Sequence, residues 1–183
     1  MPRRRLGVQM QARARARSQS GAVAVEFALV LPILGMLMFG IITFGLAYSD
    51  KVALANAVRE GARFGASTDN VSTWGTDVVQ RTVDVYANAD NPLSASSVCA
   101  VLISHSGGAN TFEQSSSSAC EVAPGTDTPA GPAPDNPSNP SDGSCFVKVW
   151  AVRPASLNWL VTSTTVDLNA DSVALYDRTP SCP

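Results

Sequence analysis

The sequence predicts an α+β protein in which a long N-terminal transmembrane α-helix continues into a small exported domain with a short helix and an antiparallel sheet. Three observations predict it. No charged residue occurs from Phe27 to Tyr48. Apolar residues keep a helical spacing beyond that run, at Leu54, Val58 and Ala62. Further on, Phe146, Lys148 and Trp150 alternate with Val147, Val149 and Ala151, the pattern of a strand in a sheet exposed on one side.

Composition bounds the class. With 183 residues, 45% apolar and 15% charged, the chain suits one modest domain plus an appendage. A mean hydropathy of +0.07 is high for a chain this rich in Ser, Gly and Pro, so the apolar residues are concentrated in one place. Charge is divided just as unevenly. The first twenty residues carry six arginines (Arg3, Arg4, Arg5, Arg13, Arg15, Arg17) and no acid, leaving seven basic residues against fifteen acidic ones afterwards. A basic head on an acidic body suits an exported protein with a cytoplasmic leader. The head lacks aromatics and is too short to be a domain, so no nucleic-acid partner is expected.

The apolar run sets the topology. A helix crossing the ~30 Å hydrocarbon core needs ~20 apolar residues at ~1.5 Å each, and Phe27 to Tyr48 meets that length. The arginines precede it, whereas only Lys51, beside Asp50, stands close on the far side. That asymmetry puts the N-terminus in the cytoplasm and the body outside. A conventional signal peptide would have a ~7–15-residue apolar core ending at a small-residue cleavage site, whereas here more helix follows. Pro32 lies inside the run and is expected to bend it, because proline removes a backbone donor and clashes one turn back.

Glu26 is the only acid before Asp50 and stands at the edge of the run. A carboxylate there costs several kcal/mol unless it is paired or reaches the headgroups. The string Gly21-Ala22-Val23-Ala24-Val25-Glu26-Phe27-Ala28-Leu29-Val30-Leu31-Pro32 resembles the TadE-like family, type IVb pilins or pseudopilins of the tight-adherence (Flp) pilus system. A second string, Asn56-Ala57-Val58-Arg59-Glu60-Gly61-Ala62-Arg63, is similar to that family's motif after the membrane segment. The resemblance covers roughly Gly21 to Ala66. It implies cleavage between Gly21 and Ala22 by a prepilin peptidase, a membrane aspartyl protease acting on the cytoplasmic side. An unhindered glycine backbone suits such a cleft. Cutting there removes all six arginines and leaves a cationic α-amino group on Ala22. The resemblance further implies that Glu26, then the fifth residue and followed by Phe27, meets the N-terminal amine of a neighbouring subunit. Pairing two desolvated charges offsets part of the burial cost of each and sets axial register. Partners implied are other pilin-like subunits, the pilus assembly platform and the lipid bilayer.

Three segments follow from this: a basic leader over residues 1–21, a transmembrane and assembly helix over 22–66, and an exported domain over 67–183. Small residues recur every fourth position as Gly45, Ser49, Ala53, Ala57, Gly61 and Gly65. Such spacing admits another backbone closely, from the protein's own body or from a neighbouring helix. Alanine alone would be explained by helix propensity, but mid-helix glycine costs ~1 kcal/mol.

In the exported part a second helix is expected over Thr76 to Ala89, stopped by Asn91-Pro92. Strands are expected over Ser97 to Ser104, Cys145 to Arg153 and Thr164 to Tyr176. Between the first two, Ser115 to Gly143 is Ser-then-Pro-rich and reads as an exposed, flexible loop too polar to pack. Cys99, Cys120, Cys145 and Cys182 all lie on the exported side, an even count that suggests two disulfides with three possible connectivities. Pairing Cys120 with Cys145 would close the Pro-rich loop, and Cys99 with Cys182 would then join the first strand to the last.

No cofactor or metal is expected, since no Cys-x2-Cys pair exists and His105 is the sole histidine. His105, before Gly107-Gly108, reads as part of a loop, and no nucleophile-elbow or phosphate-loop motif occurs, so an enzyme is not expected. Asn70-Val71-Ser72 is a nominal glycosylation sequon, short enough to arise by chance. Two functions remain: a processed minor pilin or pseudopilin, or a singly anchored exported binding domain whose helix is only a tether.

Overall fold

The computed structural model describes residues 6–69, 72–86, 92–138, 140–158 and 163–176, with side chains from Gly21 onward. Asn70 of the sequon, Ala87 to Ala89 at the expected end of the second helix, and Cys182 lie outside the described residues. The chain divides into two units, one of residues 1–45 with 158–162, the other of 46–157 with 163–183.

In the first unit, residues from Gly21 to Gly45 belong to helix α1, which runs Leu6–Ser67. The helical assignment continues through Pro32. Val23, Phe27, Leu31, Leu34, Met38, Ile41 and Phe44 are all exposed, so no side of this stretch is covered by protein. Among the described residues this is the one helix long and apolar enough to cross a membrane. The hydroxyl of Thr43 donates to the Phe39 carbonyl at 2.8 Å, one turn back, so its polar hydrogen is satisfied on the helix itself.

In the second unit α1 changes character. Leu54, Ala57, Val58, Ala62 and Ala66 are buried, three or four residues apart, and form one face against the domain core. Helix α2, Trp74–Val85, buries Trp74, Val78, Val79 and Thr82 at the same spacing. It begins two residues before the expected start, because Trp74 is itself an anchor. The Trp74 indole N–H donates to the Gly65 carbonyl at 3.0 Å, which fixes the start of α2 to the end of α1.

The sheet contains β1 (Val98–Ser106), β2 (Ala109–Ser115), β5 (Ser144–Asn158) and β6 (Ser163–Leu175), ordered β2-β1-β5-β6. β1 pairs antiparallel with both β2 and β5. Gly107 and Gly108 join β1 to β2 with φ of 59° and 79°, the doubly positive turn that follows strand twist and favours glycine. His105 is therefore not in a loop. It lies in β1 opposite Asn110, whose side-chain oxygen is 2.7 Å from its Nδ1. Strand β2 was not expected at all.

A larger correction concerns the segment from Ser115 to Gly143. It does not lie free. A 3-10 turn (Ser118–Cys120) and a small antiparallel pair, β3 (Asp127–Thr128) with β4 (Gly131–Pro132), lay it across the face of the sheet opposite the helices. Cys99, Val101, Ile103, Phe146 and Trp150 from the sheet are buried there with Cys120, Ala130 and Ala133 from the segment. Polarity did not prevent packing, because the polar groups are spent internally. Thr128 Oγ1 donates to the Gly131 carbonyl at 2.7 Å and accepts from the Ala130 amide at 3.1 Å and the Trp150 indole at 3.1 Å. The central strands β1 and β5 are thus buried on both faces where one was expected to be open: Val147, Val149 and Ala151 pack under the helices, Phe146 and Trp150 under the cover.

Candidate functional site

Gly21, Ala22, Glu26 and Phe27 all lie on α1 and are exposed. A Cβ built on Gly21 would meet nothing within 4 Å. Nothing in the described chain shields the Gly21–Ala22 bond or the Glu26 carboxylate, and the apolar residues that follow are equally bare. A helix presenting apolar side chains around its whole circumference cannot remain so in water, and lipid or other apolar helices are its natural surroundings.

The small-residue stripe separates into two parts. At Gly45 no atom lies within 4 Å of a built Cβ, and Ser49 is exposed. Ala53 is half-buried and Ala57 fully buried. A Cβ on Gly61 would fall 2.0 Å from Thr82 Oγ1, and one on Gly65 would fall 3.0–3.1 Å from Trp74, Val78 and Val147. From Ala53 onward the stripe is the groove into which α2 and the sheet fit; Gly45 and Ser49 are left open.

Two ionic ties hold the lower part of α1 to the domain. Asp50, just past the apolar run, receives a hydrogen bond from Arg153 Nη1 at 2.9 Å. Arg153 is 5% exposed, its guanidinium stands 5.2 Å from the ring centre of Tyr86, and the same Nη1 donates to the Tyr86 hydroxyl. A guanidinium buried this deeply needs a counter-charge, and Asp50 supplies one. One turn before the end of the second family-like string, Glu60 accepts from Arg81 at 2.9 Å and from Arg63 at 3.0 Å. Hydrogen bonds from Arg63 and Arg81 hold its carboxyl at about 2, below the ordinary 4.5. Arg81 lies on α2, so this tie spans the two helices.

Cysteine pairing differs from the expected one. Cys99 is bonded to Cys120, with Cα atoms 5.7 Å apart. Cys145 is also in a disulfide, but not with Cys120. The reason is strand alternation: Cys145 faces the helix-side core, whereas Cys99 and Cys120 face the cover, so Cys120 and Cys145 lie on opposite sides of the sheet. Cys182 lies outside the described residues.

Several residues were not anticipated. Arg153 and Asp50 gave no signal, being far apart in sequence. Gly75 presses on the Ser115 carbonyl, 2.5 Å from a built Cβ. Lys148 is 1% exposed, and its phase with Phe146 and Trp150 was the visible hint that it shared a covered face. Among the described residues no cluster of three or more His, Cys, Asp or Glu could hold a metal ion.

Residues 21–63 match the family model described as TadE-like protein. Nothing among curated proteins or solved structures matches the chain.

Proposed function

Starting from the TadE-like character of residues 21–63, a family associated with the tight-adherence pilus, we propose that this protein is a minor pilin or pseudopilin processed by a prepilin peptidase. One observation carries the reading. The matched segment takes in the apolar helix whose side chains are uncovered and runs on through Leu54, Ala57, Val58 and Ala62, where α1 is the buried spine of the domain. The chain is in this reading a single-pass membrane protein, with its arginine-rich end cytoplasmic and its disulfide-bonded domain exported. Its role is structural rather than catalytic.

The steps follow from local chemistry. Peptidase cuts between Gly21 and Ala22, where a glycine makes the helix easiest to open into the extended form a protease requires. Loss of the arginines frees the new N-terminus to enter the apolar phase. Glu26 then pairs with the Ala22 amine of an adjacent subunit, each charge offsetting the desolvation of the other. The ties at Asp50–Arg153 and Glu60–Arg81 link the helix to the domain it carries, so that a pull on one is passed to the other.

Mass spectrometry of protein from cells with and without the peptidase tests the processing step: the N-terminus is expected at Ala22 only when the peptidase is present. Glu26→Gln should leave membrane insertion and cleavage intact but abolish pilus production. If Glu26→Gln cells make normal pili, the assembly role is wrong, and the exported domain on a simple tether becomes the better account.

A further inference from the structure

Assembly leaves one buried cation without a task. Lys148 Nζ meets no carboxylate at ion-pair distance among the described residues, whereas the other buried cation, Arg153, has Asp50. Its hydrogen-bond partner is the side-chain oxygen of Asn136, at 3.0 Å. The Trp150 ring centre is 5.8 Å away, and Phe146 lies on the same covered face. Burial lowers the ammonium's hold on its proton, while Asp135 and Asp171 act in the opposite direction. A desolvated lysine amine beside an amide carbonyl has the two groups that amide exchange needs. Asn136 belongs to the Pro-rich cover and Lys148 to β5, so a bond between them would fasten cover to sheet.

We propose that Lys148 and Asn136 join in an intramolecular isopeptide bond. A carbonyl is ~1.23 Å long, so Asn136 Cγ lies within about 4.2 Å of Nζ, a small side-chain rotation from the ~3–3.5 Å of an attack geometry. The neutral amine attacks Cγ, forming the Nζ–Cγ bond and moving the carbonyl electron pair onto Oδ1. One proton leaves Nζ for Nδ2 through solvent water at the partly exposed Asn136. The electron pair returns from Oδ1, the Cγ–Nδ2 bond breaks, and ammonia departs. Nothing is oxidised or reduced. Asn136 lines an open cavity of about 540 Å³, which gives ammonia a way out. The common rival loss of ammonia, attack on the asparagine side chain by the next backbone nitrogen, is blocked here because Pro137 follows Asn136 and has no N–H.

The full-length chain, extracted from membranes, is reduced, alkylated and cut on the N-terminal side of aspartate. The peptides beginning at Asp135 and Asp142 are expected as one joined species, lighter than their sum by one ammonia, about 17 Da. Lys148→Arg and Asn136→Ala should each release the two peptides separately at their full sequence masses. Separate peptides from the natural protein, or a joined species persisting in Asn136→Ala, would overturn the assignment. Because the natural protein alone decides the matter, misfolding of a variant cannot rescue it.

Discussion

Glu60 has the most displaced carboxylate among the described residues, and its displacement makes a stability statement. Its folded value is about 2 against 4.5, with hydrogen bonds from Arg63 the first cause and from Arg81 the second. A carboxyl depressed in the folded state contributes stability that is complete above its unfolded value and is lost as pH falls through the folded one. The contribution of Glu60 should therefore be full above pH ~4.5 and vanish on approach to pH ~2. Unfolding curves of the protein and of Glu60→Gln, measured across that window, should differ at neutral pH and converge at its acid end. The neutral-pH gap should also shrink with added salt, because Arg63 and Arg81 are open to solvent. Glu60 stood out in the sequence only as part of a family-like string. That it bonds to Arg81 required α2 to fold back against α1.

At the scale of elements, α1 shows how far periodicity reads and where it stops. Leu54, Val58 and Ala62 announced a buried face, and they are buried. The same rule could not say where the small-residue stripe meets a partner, since Gly45 and Gly65 look alike in sequence but only Gly65 touches another element. Strand β2 escaped for a different reason. Most of it is exposed on both faces at the sheet edge, so it carries no alternation to detect, although Gly107-Gly108 marked its turn. Gly75 is where α2 comes closest to the end of β2. A Cβ there would fall 2.5 Å from the Ser115 carbonyl oxygen and 2.7 Å from Ser116 N, backbone atoms that cannot rotate away. Gly75→Ala should gain ~1 kcal/mol of helix propensity but lose ~3 kcal/mol to overpacking, a net loss of about 2 kcal/mol. Chemical denaturation reads this directly, and a variant as stable as the parent would mean that the close approach is absent.

Across the whole molecule, the centre of the sheet is buried twice, by helices on one face and by the Ser/Pro-rich segment on the other. The Cys99–Cys120 disulfide pins the start of that cover, across a sequence separation of 21. A loop of that length corresponds to about 3 kcal/mol by chain entropy. Replacing both cysteines with serine should lower stability by roughly that amount and open residues 121–143 to limited proteolysis before the helices are cut. Simultaneous loss of all elements would show that the cover and the helical side unfold as one. What the sequence by itself determined is the part governed by local rules: the apolar helix, its passage beyond the apolar run, the second helix and three of the strands. Residue spacing and hydropathy act within one segment, so one segment suffices to read them. The α+β class and the TadE-like character of residues 21–63 were legible for the same reason. Only the tertiary structure decided that Cys99 bonds to Cys120 rather than Cys120 to Cys145, that Arg153 finds Asp50, and that a polar segment covers Trp150 and encloses Lys148. Each of these depends on which face of the sheet a residue takes and on what the chain lays over it. Such juxtapositions join positions far apart in sequence, and local composition carries no record of them.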